Sequence, residues 1–169
     1  MDVFERRNAL VAQLRESGEA ALASLRGMDP ADFELGRYEN GWTARQILAH
    51  VAAIEWTYPR LLDLPPLEAA PATGDVQRNQ SGAVRHRMDD YNARQVEKRA
   101  AVPVADLIAE FERNRAATVA AIASADAETL GRRVQSFGGL EGALIDVIAG
   151  VVLDHVSGHI RDLSGTNAT

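Results

Sequence analysis

The 169-residue chain contains no cysteine, which removes disulfides, thiolate metal sites and a cysteine nucleophile together and fits a reducing compartment. Any metal must then be held by His, Asp or Glu. Aromatic residues make up only 5% of the chain, the net charge is −6, and no run of Lys or Arg occurs. Both a phosphate-neutralising surface and a stacking platform for single strands are therefore excluded, and no nucleic-acid partner is expected. No segment approaches the roughly 18 apolar residues of a membrane span, and Met1-Asp2-Val3-Phe4-Glu5-Arg6-Arg7 lacks the apolar core of a signal peptide. The expectation is a soluble, cytoplasmic protein with no membrane partner. Its length suits one domain over residues 1–169, large enough to bury a core without staples.

What the chain does have is helical periodicity. Val3, Phe4, Leu10, Val11, Leu14, Ala21, Leu22 and Leu25 recur at helical spacing between charged residues, with Gly27 as a C-cap. After the break at Met28-Asp29-Pro30, residues 31–41 read as a connection ending in the turn dipeptide Asn40-Gly41. The second helix has the clearest start: Thr43 as N-cap, Gln46 at the capping-box position, and Trp42 against Ile47 as a hydrophobic staple. Its apolar face runs Ile47, Leu48, Val51, Ile54, Tyr58, Leu61, and Pro59 should end or kink it.

Residues 63–82 form a long connection of the kind that covers sites, and residues 83–99 a polar, peripheral helix. Pro103 opens a third core helix that continues to Ile122, and Asp126 caps a short turn. Gly138-Gly139 then leads into a last helix, Leu140 to Leu163, with Gly165 beyond it. Gly142, Gly150 and Gly158 lie inside that helix, each costing about 1 kcal/mol relative to Ala, so close packing or room for a ligand is expected there. No strand is expected. The pattern predicts an all-α four-helix bundle with an extra peripheral helix between core helices two and three. Antiparallel neighbours are the default, but the 63–82 stretch leaves room for a crossover, so the topology stays open.

The chemistry concentrates in Asp154-His155-Val156-Ser157-Gly158-His159, which carries two of the four histidines. A spacing of four puts both imidazoles on one helix face, and that face continues upstream through Ile148, Val151 and Val152. A buried imidazole without a partner costs roughly 1–3 kcal/mol, and one divalent metal satisfies both. His50 lies on the inward face of the second helix, between Ile47 and Ile54. The set His50, His155 and His159 suffices for Zn²⁺ with an open fourth position, and imidazole also suits nickel, iron or copper.

The remaining candidates have plainer readings beside them. Asp162 could orient His159 from behind, but a charge at a helix end is the simpler account. Glu55 could be a base near the site, with a solvated residue as the simpler account, and His86 between Arg85 and Arg87 reads as ligand-facing or, more simply, as solvated. Val156 stands where a zincin metalloprotease has its Glu, which disfavours peptide hydrolysis by that mechanism. Ser81 and Ser157 lie in no nucleophile-elbow sequence, and no glycine-rich phosphate loop occurs. Trp42 and Trp56 read as packing residues.

The segment Asn40-Gly41-Trp42-Thr43-Ala44-Arg45-Gln46-Ile47-Leu48-Ala49-His50-Val51 resembles the second-helix signature of the DinB-like superfamily, and His155-Val156-Ser157-Gly158-His159-Ile160 resembles its fourth-helix signature. That superfamily includes the YfiT-type metal-dependent hydrolases and the mycothiol-dependent maleylpyruvate isomerases. The resemblance implies a DinB/YfiT-like four-helix bundle, often dimeric, with one divalent metal, zinc or nickel, on His50, His155 and His159. It also implies mycothiol or bacillithiol as a cofactor, and a homodimer. The isomerases have a Glu where this chain has His155, which puts that activity in doubt.

Two functions follow. The first is a metal-dependent enzyme that activates a thiol cofactor or water for S-transfer or hydrolysis on a small-molecule substrate. The second is a non-catalytic metal- or small-molecule-binding stress protein. An open coordination position favours the first, and a closed fourth protein ligand the second.

Overall fold

The fold is described from a computed structural model covering residues 2–38, 41–67, 77–136 and 138–165, with the backbone alone for residues 77–87. Asn40, Phe137 and the middle of the 63–82 connection lie outside the described residues, as do the side chains of Ser81 and His86. Helix α1 spans Val3–Gly27. Asp2 starts it by accepting from the Glu5 backbone N–H at 2.8 Å, while the Glu5 carboxylate accepts from the Asp2 N–H at 2.9 Å. Leu10, Val11, Leu14, Ala21, Leu22 and Leu25 form its buried stripe as expected, whereas Phe4 is exposed beneath the guanidinium of Arg7.

Helix α2 spans Ala44–Glu55 and has the predicted capping box: Thr43 Oγ1 accepts from Gln46 N–H at 3.3 Å and Gln46 Oε1 accepts from Thr43 N–H at 2.9 Å. It stops before Pro59, which sits in a 3-10 turn over Tyr58–Asp63 because proline has no N–H to continue the α ladder. Helix α3, Gln77–Lys98, starts earlier than the expected residue 83. Helix α4, Val104–Ser124, follows Pro103, and Asp126 caps the short α5, Ala127–Gly131, by accepting from the Thr129 N–H at 2.7 Å.

Residues 133–143 correct the expectation of a strandless chain with a helix from Leu140. Strands β1, Arg133–Gln135, and β2, Glu141–Ala143, pair antiparallel with Val134 opposite Gly142. The reversal is made by Gly139 at φ +86°, a region that residues with a Cβ rarely enter, and by the Ser136 N–H donating to the Leu140 carbonyl at 2.8 Å. Local turn chemistry outweighed the apolar periodicity of the following segment. The last helix therefore begins at Leu144: α6 spans Leu144–Ile148, a π-helical turn spans Ala149–Asp154, and α7 spans His155–Ser164. Gly165 closes it in the left-handed conformation at φ +71°. Gly150 in the π-helical turn answers to close packing, since a Cβ there would stand 2.8 Å from Cδ2 of Leu140.

Helix α1 packs on α4 and on the α6–α7 rod, and α2 packs on the same two partners. These contacts close a ring of four around one core, in which Leu14, Leu48, Phe111, Ile148 and Leu163 are fully buried. The arrangement is a four-helix bundle with α1 and α2 across from each other, so the chain crosses over between α1 and α2 and again between α4 and α6, while α2 and α4, on either side of the long 63–82 connection, are neighbours. Helix α3 packs on α2 from outside, as the peripheral helix was expected to do. Among the described residues, no helix is long and apolar enough to cross a membrane.

Candidate metal centre

Three elements converge at one place in the bundle. The Thr43 cap fixes the start of α2 and so the phase of its inward face, which carries His50 to 4% exposure. The π-helical turn Ala149–Asp154 ends at His155. Bonds from i to i+5 change the phase of a helix relative to the preceding turns, and α7 then restores the spacing that stacks His155 and His159. The ring centroids of His50 lie 5.7 Å from His155 and 4.9 Å from His159, all edge-on. One nitrogen from each ring falls within 4.8 Å of the others. Sequence separations of about a hundred residues between α2 and α7 are closed by this packing alone.

The nitrogens that face inward can be identified from what stands behind them. Tyr38 Oη lies 2.5 Å from His159 Nδ1 and donates to Asp162 Oδ2 at 2.9 Å. Because its one proton goes to the carboxylate, the phenol oxygen accepts from His159 Nδ1–H, which leaves the His159 Nε2 lone pair facing the cluster. On the other side, Tyr58 Oη lies 3.1 Å from His155 Nδ1, again leaving Nε2 inward. The two Nε2 atoms are 2.7 Å apart. Two neutral rings hold such a contact only with a proton or a cation between them.

The electrostatics keep these rings neutral. Burial, reinforced by the two neighbouring imidazoles, pushes His50 down to about 3. Burial and His155 push His159 down to about 4 against the pull of Asp162, and burial lowers His155 as well. All three lone pairs are therefore available at neutral pH. Burial and the bond to Asp162 raise the Tyr38 phenol far above its usual range, so it stays protonated.

The residues fit a divalent cation on three counts: three neutral imidazoles, converging nitrogens, and carboxylate backing behind one ring. Nitrogens about 2.1 Å from a tetrahedral zinc stand about 3.4 Å apart, and the observed set brackets that spacing. His155 and His159 are half-buried rather than sealed. Trp42 closes one flank, its ring 5.7 Å from His50 and 6.4 Å from Tyr38. It also lines a cavity of about 460 Å³ with Gln46, Ala49, Val96 and Arg99.

Residues 13–163 match the family model described as the DinB superfamily. The chain belongs to the DinB superfamily. Comparison with curated proteins and with solved structures gives no match. The DinB match spans both histidine-bearing elements, α2 and α7, together with Tyr38 and Asp162.

Of the candidates read from the sequence, His50, His155 and His159 come together, and Asp162 reaches His159 through Tyr38. Glu55 corrects its simpler reading, because it is fully buried beside Arg115 and not solvated. Tyr38 and Tyr58 were missed as site residues. Tyr38 sits in an irregular stretch with no periodicity to mark it, and its partner is 121 positions away. Tyr58 was legible only as an apolar-face residue.

Proposed function

We propose that the protein is a metal-dependent enzyme of one domain, residues 1–169, in which His50, His155 and His159 hold one divalent cation, zinc or nickel. The observation that carries the reading is the convergence of three neutral imidazoles, two of which, His155 and His159, have their rear nitrogens already engaged by tyrosines. Such backing orients ligating histidines and raises their basicity. A cation held there supplies a Lewis acid that lowers the pKa of a thiol or water taken up at the open position. The chain's own residues bind and orient: Tyr38 and Asp162 fix the His159 tautomer, and Trp42 shields His50 from water.

The reaction class is S-transfer or hydrolysis on a small electrophile. The chain has no thiol of its own, so a low-molecular-weight thiol such as mycothiol or bacillithiol serves as co-reactant. The cavity against Trp42 is wide enough to take the body of such a substrate. We further place the protein in the cytoplasm as a homodimer.

The test is elemental analysis of native protein followed by a screen of thiol and electrophile pairs at pH 7, with and without added metal. Metal-dependent turnover lost in His159→Ala supports the enzyme. If no thiol, ester, amide or electrophile reacts faster with metal than without, the binding-protein reading takes its place.

A further inference from the structure

The hydrogen bonds around the cluster fix their protons one after another. The Asp162 carboxylate can only accept, so Tyr38 Oη donates to it at 2.9 Å. The same phenol oxygen, 2.5 Å from His159 Nδ1, then accepts from that nitrogen. His159 is neutral and its one ring proton is on Nδ1, so its Nε2 is bare. Nε2 of His155 lies 2.7 Å away, which is hydrogen-bond length and well short of the roughly 3.4 Å between two nitrogens on one tetrahedral zinc. The proton in that contact belongs to His155. This ring is neutral too, so its Nδ1 is bare, and Tyr58 Oη, 3.1 Å away, donates to it.

The outcome is one unbroken row of donors, from Tyr58 to His155, His159, Tyr38 and Asp162. Each ring nitrogen and each phenol proton in it has a partner. The two histidines are thereby held in opposite tautomers: His159 turns a lone pair to the cluster, and His155 turns an N–H to it. Tyr58 orients the His155 ring but sets its lone pair on the far side from the cation site.

We infer that Tyr58 is a positioning residue that selects the non-ligating tautomer of His155, so that it opposes metal uptake while Tyr38 favours it. For His155 to ligate through Nε2, the N–H bond at Nε2 breaks and one forms at Nδ1, with the number of protons unchanged. Tyr58 then turns its hydroxyl and accepts from Nδ1–H, which leaves its own proton without a partner. The residue is 2% exposed and has His155 as its one hydrogen-bond partner among the described residues, so that proton reaches neither water nor another side chain. A buried donor with no acceptor forfeits its full solvation. The site therefore sets a threshold: a cation stays only if it binds imidazole strongly enough to offset the orphaned hydroxyl, which favours zinc, nickel or copper over magnesium or calcium.

The inference rests on the metal-site reading, and the test separates the two. Imidazole ¹⁵N resonances of chelated wild type at pH 7 read the tautomers directly. His155 should carry its proton on Nε2 and His159 on Nδ1. Adding zinc alone should move the His155 proton to Nδ1 and leave that of His159 in place.

Zinc affinity by chelator competition gives the second readout. In Tyr58→Phe the rear nitrogen of His155 lacks a partner in either tautomer, so loading no longer orphans a group that was satisfied before. The variant should bind zinc about tenfold more tightly than wild type, the reverse of Tyr38→Phe. A tyrosine that only filled the core would lower the melting temperature when cut to Phe and leave zinc affinity unchanged. Unchanged or weakened affinity in Tyr58→Phe, or a His155 proton on Nδ1 in the chelated wild type, would overturn the tautomer selection while leaving the metal site intact. Failure of the wild type to bind zinc more tightly than the His50, His155 and His159 triple-alanine variant would overturn both.

Discussion

Gly18 on α1 is fitted to Arg115 on α4: a Cβ added at Gly18 would stand 3.0 Å from Cγ of Arg115. A glycine in a helix interior gives up about 1 kcal/mol relative to alanine, and here that loss makes room for a buried guanidinium held against Glu55. Gly18→Ala should therefore change stability by less than about 1 kcal/mol, the helix gain offsetting the crowding. Gly18→Val adds bulk that Arg115 cannot yield to without leaving Glu55, and should cost about 1–3 kcal/mol. Urea unfolding of the two variants checks the pair; equal stability of Gly18→Val and wild type would contradict the fit.

Purified protein should take up one divalent metal per chain, and His155→Ala should sharply weaken it. Metal removal should leave the helices in place, because the apolar core from Leu14 to Leu163 does not run through the ligands. Far-ultraviolet circular dichroism of chelated protein distinguishes this from a fold that needs its ion: wholesale loss of helix would make the metal structural.

Tyr38→Phe removes both the acceptor for His159 Nδ1–H and the donor to Asp162. Metal affinity should fall about 10- to 100-fold with the fold intact. Asp162→Asn should fall in the same direction but less far, since the amide oxygen still accepts from the phenol. An unaltered affinity in Tyr38→Phe would mean that the phenol merely fills space.

Acid should unfold the chelated protein through its histidines. His50 and His159 titrate at about 3 and about 4 in the folded chain, against about 6.5 when unfolded. The unfolded chain therefore binds more protons across that window, and stability is full above about 6.5 and lost as the pH falls toward 4. Glu55 has the opposite sign. Burial raises it to about 7 despite Arg115, so the folded chain holds the extra proton and gains stability as the pH falls from about 7 to about 4.5. Removing that contribution in Glu55→Gln should steepen the acid loss, measurable as urea midpoints at successive pH values; a shallower slope would reverse the assignment.

The parts of the fold that follow from local chemistry were legible in the sequence. The Thr43 cap, the stop at Pro59, the Gly165 terminus and the inward turn of His50 each depend on neighbours within a few residues. The hairpin before α6 was not legible, because its short strands carry no alternating pattern and its turn depends on the conformation of one glycine, Gly139. Nor was the backing of the histidines. Tyr38 and His159, or Glu55 and Arg115, meet only after the bundle has closed, and no periodicity marks a polar partner supplied from another helix.

The π-helical turn Ala149–Asp154 works as an indexing step in an otherwise continuous rod. Upstream, Val147 and Ile148 are keyed to the core; downstream, His155 and His159 are keyed to His50. Rewinding this turn as α-helix with every residue kept would advance everything after it by about one residue, roughly 100°, swinging both imidazoles off their target while the rod stayed whole. The two jobs of this one helix, holding the bundle and aiming the nitrogens, are thus geared to each other through a single wide turn, and a chain that wound it as α-helix would keep its shape and lose its grip.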